Sequence, residues 1–102
     1  MSLTRDLVRL IDAKAIAESD LERASLFVLD TVACAIGATG AEPARILTAV
    51  APPGSGDTAR RAFHFGGLAH ILEMDDLHRD SVTHPGSVVI PAAWAIACAR
   101  GL

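Results

Sequence analysis

Ser19-Asp20-Leu21-Glu22-Arg23-Ala24-Ser25-Leu26-Phe27-Val28-Leu29-Asp30-Thr31-Val32-Ala33-Cys34-Ala35-Ile36-Gly37 carries apolar residues at helical spacing. Leu21, Leu26, Leu29, Val32, Ala33 and Ile36 fall on one stripe of a helix and form its expected buried face. Ser19 and Glu22 match a capping box, in which the hydroxyl accepts from the third helical amide and the carboxylate reaches back to the cap amide. A strong helix is therefore expected from Ser19, ended by Gly37 or Gly40 in the left-handed conformation. Strand-like alternation with β-branched residues occurs nowhere for more than a few positions. The chain reads as all-α, a compact array of four to five helices in one domain over residues 1–102.

Outward from this stretch the pattern repeats. Leu3, Leu7, Leu10 and Ile11 predict a short amphipathic first helix, with Thr4 available as its cap. Pro43 can start a third helix through about Val50, because proline in a first turn removes an amide that had no partner. Pro52-Pro53-Gly54-Ser55-Gly56 is a break. A fourth helix is expected from a cap at Asp57 or Thr58 to about Glu73, although Gly66-Gly67 in its middle costs about 1 kcal/mol per glycine relative to alanine. Close packing explains such a pair more readily than ligand approach. Met74 to Gly86 lacks periodicity and reads as a loop, and Val88 to Arg100 closes the chain as an alanine-rich helix stopped by Gly101.

With 102 residues, there is no room for a second core of normal size. Hydrophobic residues make up 51% and charged residues 21%, unlike a disordered chain, so a folded, soluble product is expected. Nine Lys+Arg against twelve Asp+Glu give a net charge of −3, and aromatic residues are only 4%, which argues against nucleic acid as a partner. Val88 to Ala99, the longest apolar run, is interrupted by Pro91 and too short to span a bilayer, so no membrane is expected. Arg5, Asp6, Arg9 and Asp12 interrupt the N-terminal apolar residues, unlike a secretory signal. Cys34 and Cys98 stand alone in alanine-rich surroundings and read as reduced, buried small hydrophobes, consistent with a cytoplasmic setting.

The chemistry gathers in fifteen positions that hold His70, Glu73, Asp75, Asp76, His78, Asp80 and His84. Imidazole titrates near neutrality and a neighbouring carboxylate orients it, so this mixture suits proton transfer. A solvated acidic loop accounts for the same composition. A metal reading also stays open, because His70 and Glu73 lie one helical turn apart and Asp76, His78 and His84 could complete a shell, yet no strict metal signature occurs. Neither Ser81 nor Ser87 sits in a nucleophile elbow, and no phosphate-binding glycine loop is present. His64, between Phe63 and Phe65, reads as a satisfied core or surface histidine.

As a string, Gly67-Leu68-Ala69-His70-Ile71-Leu72-Glu73-Met74-Asp75-Asp76-Leu77-His78, then Thr83-His84-Pro85-Gly86-Ser87 and Ile90-Pro91-Ala92-Ala93-Trp94-Ala95, resembles the MmgE/PrpD family. That family includes 2-methylcitrate dehydratase, cis-aconitate decarboxylase and iminodisuccinate epimerase. Leu29-Asp30-Thr31-Val32-Ala33-Cys34-Ala35-Ile36-Gly37 is similar to its opening helices, so the resemblance covers nearly the whole chain, as the N-terminal part of the family's helical domain.

The resemblance implies a helical domain of a usually dimeric enzyme that acts on small polycarboxylic acids without metal or organic cofactor. It implies that His84 and Glu73 belong to the active site, with His84 exchanging a proton with the substrate and Glu73 positioning a hydroxyl or carboxyl group. Asp75, Asp76, His78 and His70 would shape the substrate-binding site. The chain departs from the family pattern in Glu73 where aspartate is usual, in Leu77 where threonine is usual, and in Gly66-Gly67 for an Asn-Gly pair. Family enzymes are several times longer and draw further catalytic residues from segments absent here. The expectation is a truncated or split protein that lacks full activity alone and needs a complementary chain or self-association, with lyase or epimerase chemistry if active. The competing expectations are a small self-associating helical interaction protein without catalysis and a His/Asp metal-binding module.

Overall fold

The computed structural model describes residues 2–54 and 56–102; Met1 lies outside them, as does Ser55 of the expected break. Among the described residues the architecture is all-α, with α1 Leu3–Ala13, α2 Glu18–Ala38, α3 Glu42–Val50, α4 Thr58–His70 and α5 Pro85–Arg100. α4 lies at the centre and packs on α5, α2 and α3, and α2 also touches α5, whereas α1 makes no comparable packing with any helix. No single helix among the described residues is long and apolar enough to cross a membrane.

Several helix ends differ from expectation for local reasons. Ser2, not Thr4, caps α1, its hydroxyl accepting from the Arg5 amide at 3.4 Å. α2 starts at Glu18 because Asp20, not Glu22, turns back to accept from the Ala17 amide at 3.1 Å. That bond and Lys14, 3.4 Å away, hold the Asp20 carboxyl below the usual carboxylate range. Gly37 and Gly40 do not end α2 in the left-handed region; Thr39 does so in a right-handed cap, its hydroxyl donating to the Ile36 carbonyl at 2.7 Å. Pro43 sits in the first turn of α3, and Asp57 caps α4 through the amides of Ala59 and Arg60, both as read. Gly101, at φ 70°, closes α5 as expected.

The buried face of α2 is the principal correction. Leu21, Leu26, Leu29, Ala33 and Ile36 of the expected stripe are exposed and Val32 is half-buried, whereas Thr31, Ala35 and Ala38 are buried. Ala44, Ala51, Ala69 and Ala95 continue this small-residue core. The physical reason is the close approach of the helices: Thr31 Oγ1 of α2 stands 3.1 Å from where a Cβ on Gly86 of α5 would lie, and the other helices approach as closely. A Cβ on Gly66 would stand 2.6 Å from the Ser87 carbonyl oxygen of α5, and one on Gly67 would meet Leu47 Cδ2 of α3 at 2.7 Å. Pro91, buried inside α5, has no amide to give Ser87, so the carbonyl that faces Gly66 is the one proline freed from the helical ladder. Phe65 meets Trp94 edge-on, with centroids 6.2 Å apart, on the same α4–α5 contact.

Candidate functional site

α4 stops at His70, one turn short of the expected end, and Glu73 follows with φ 49°, in the left-handed region that a non-glycine residue rarely adopts. The chain thereby reverses and drops Asp75 beneath the end of α4. His78 and Thr83 then pair as an isolated antiparallel bridge, the His78 amide donating to the Thr83 carbonyl at 2.9 Å. Val82 is also left-handed, at φ 51°, where the loop turns back. The His78 ring is tied to Ser81 at 2.7 Å, and Ser81 to Thr83 at 2.8 Å. This closure delivers His84 to the start of α5, which begins at Pro85 rather than Val88 because proline is preset for a first turn.

His84 gives that helix no side-chain cap. Asp76 supplies one from across the loop, its Oδ1 accepting from the Gly86 amide at 2.9 Å. Glycine leaves room for that bond, since a Cβ at Gly86 would run into Asp76 Oδ1 and stand 3.1 Å from Thr31 Oγ1. The carboxylate thus occupies the positive end of α5, where a negative charge is stabilised.

Asp75 is the centre of the constellation. Its side chain has no exposed surface, and His70 Nδ1 lies 3.2 Å from each of its oxygens. His84 Nδ1 is 3.3 Å from Oδ1, within ion-pair distance but out of line for a hydrogen bond, and this buried nitrogen has no other partner. The two imidazoles meet edge to face, with centroids 4.6 Å apart. One ligand atom each from His70, Asp75 and His84 lies within 4.8 Å of the others, the one such His/Cys/Asp/Glu group among the described residues.

Of the expected site residues, the structure therefore joins His70, Asp75 and His84 directly, with Asp76 at the adjoining helix end. Glu73 is exposed outside this cluster, and His78 is held in the loop by Ser81. His64 is a satisfied core histidine, buried with Nε2 3.1 Å from Thr48 Oγ1. Cys34 is half-buried and its thiol is pushed up by burial, with Asp30, Asp75 and Asp76 adding to the effect; Cys98 is exposed, contrary to expectation, in the last turn of α5, beyond buried Pro91 and Ala95. A groove of about 440 Å³ that the sequence reading did not identify runs beside Asp76, lined by Phe27, Val28, Leu77, His78, Val89 and Ile90. Its apolar residues come from α2, the loop at Leu77 and α5, far apart in sequence, and nothing in their local pattern marks them as neighbours.

A family model described as the MmgE/PrpD N-terminal domain matches residues 5–102. No curated protein and no solved structure matches the chain.

Proposed function

Because this chain belongs to the MmgE/PrpD family through a match over residues 5–102, we propose that it carries the carboxylate-recognising part of a site for small polycarboxylic acids. The observation that carries the proposal is the buried Asp75 carboxylate shared by His70 and His84 at the start of α5. A carboxylate facing Nδ1 of an imidazole favours the proton on that nitrogen and leaves Nε2 as the base. His84 then exchanges a proton with the substrate carbon or leaving group, and Asp75 is its positioning residue. The poor alignment of the pair is compatible with this role, since such bonds often tighten only once substrate is bound. Exposed Glu73 takes a substrate hydroxyl or carboxyl group, and His70, Asp76 and His78 shape the pocket. The reaction class is that of a lyase or epimerase, and full turnover calls on residues supplied by another chain.

The test uses metal-free protein in a chelating buffer. A small tricarboxylate should raise the melting temperature, because a ligand that binds only the folded state adds about 2.7 kcal/mol at a hundred times its Kd. His84→Ala should abolish the rise; an unchanged rise in that variant would sink the site assignment.

The interaction-protein reading has an observation of its own. The accessible surface is 7613 Å², against about 5,500 Å² for a folded monomer of 10.6 kDa. The excess, on the order of 2,000 Å², exceeds the roughly 800 Å² that one partner contributes to a standard interface. Self-association or a complementary chain serves both readings, and tricarboxylate binding separates them.

A further inference from the structure

We propose that the chain pairs with a second copy of itself by exchanging α1, each copy laying this helix in the other's groove between α2 and α5. The arrangement rests on the self-association reading and is independent of polycarboxylate binding.

Helix and groove are complementary halves of one chain. Leu3, Leu7, Leu10 and Ile11 recur at i, i+4, i+7 and i+8, so they line one face of α1, and all four are exposed. Anchors at this spacing are how an amphipathic helix fills an apolar groove. The groove of about 440 Å³ offers Phe27 and Val28 from α2, Leu77 from the loop, and Val89 and Ile90 from α5. Its polar lining is already engaged, since Asp76 accepts from the Gly86 amide and His78 is tied to Ser81. The surface left unmet is apolar and suits an apolar helix rather than a polar ligand.

α1 does not fill the groove of its own chain. Only Lys14 to Ala17 separate it from α2, and Asp20 Oδ2 fixes both ends of that connection, 3.4 Å from Lys14 Nζ and 3.1 Å from the Ala17 amide. Held in this way, α1 buries none of its residues and makes no close packing with α2 or α5. The surface in excess of a folded monomer, on the order of 2,000 Å² per chain, is what each copy of an obligate pair covers. A second copy meets both needs at once. A two-fold axis puts each α1 in the facing groove, and such an isologous contact closes without leaving a free end. A foreign chain would have to bring both a helix for the groove and a groove for α1. Each copy thereby adds a wall beside the loop that carries Asp76 and His78 in the other.

The experiment is sedimentation of the full chain and of two charge variants, Leu10→Glu on α1 and Val89→Lys in the groove, alone and mixed, without tricarboxylate. Wild type should sediment as a dimer. Each variant alone should be a monomer, its dimer dissociation constant raised at least a hundredfold, because both contacts of its own pair carry the misplaced charge. An equimolar mixture should recover a heterodimer, since one contact then sets glutamate against lysine and the other is wild type. Circular dichroism checks the folding of each variant, and Ile11→Glu with Leu77→Lys serves as a second pair; all four positions are exposed. A wild-type monomer, variants that remain dimeric, or mixtures that stay monomeric in both pairs would each overturn the exchange. The wild-type monomer also removes self-association, whereas a wild-type dimer without complementation removes the exchange alone, and neither bears on the tricarboxylate test.

Discussion

At Asp75 a carboxylate is withdrawn from water completely, and the compensation comes from two histidines rather than from backbone amides. Removing a buried acceptor leaves its donors unpaired, which costs about 1–3 kcal/mol. Asp75→Ala should therefore lower the unfolding free energy measured by urea titration by an amount in that range. His70→Ala should lower it much less, because a side chain with nearly half its surface in water recovers solvent partners. Equal losses would show that the histidine, not the carboxylate, organises the turn. Asp76 next to it has a different task, since its oxygen caps α5 where His84 provides nothing. Adjacent acids that look equivalent in the sequence are thus separated by which helix end each one reaches.

Among the elements, the α4–α5 contact is decided by glycine and proline acting together. Alanine is worth about 1 kcal/mol more than glycine inside a helix, so both Gly66→Ala and Gly67→Ala gain propensity. At Gly66 the obstacle is the backbone oxygen of Ser87, which cannot rotate away, and overpacking of this kind costs about 1–3 kcal/mol. At Gly67 the obstacle is the end of the Leu47 side chain, which can change rotamer. Gly66→Ala should lower the melting temperature, and Gly67→Ala should leave it within a degree or two or raise it. The reverse order would mean that the two helices can separate without penalty and that the freed carbonyl does not set their distance.

For the whole molecule, the radius of gyration is 15.2 Å, against about 13 Å for a compact chain of this length. α1 accounts for part of the difference, since none of its residues is buried and Leu3, Leu7, Leu10 and Ile11 all face out. The exposed leucines of α2 extend this apolar surface. The partner reading predicts a native mass above 10.6 kDa by sedimentation, reduced by Leu10→Asp with Ile11→Asp. Because these side chains are exposed on a helix with no buried residue, the double variant should keep its helical circular dichroism. A monodisperse monomer at high concentration would count against the partner.

Helical periodicity, the caps at Asp57 and Gly101, the proline at the head of α3 and the helix-breaking glycines and prolines were determined by local physics, and the sequence alone made them legible. So was the density of histidine and carboxylate between His70 and His84, and its likeness to MmgE/PrpD. Periodicity identifies a helix but does not say which face is buried when small residues on one side allow closer packing than leucines on the other. That choice, which turned Leu21, Leu26, Leu29 and Ile36 outward, belonged to the tertiary structure. The centring of the site on Asp75 did as well. It depends on where α4 stops, on the left-handed turn at Glu73 and on the return of the chain through the His78–Thr83 bridge. Those are long-range geometric consequences of packing, and a one-residue shift in any of them would carry a different acid beneath the two histidines.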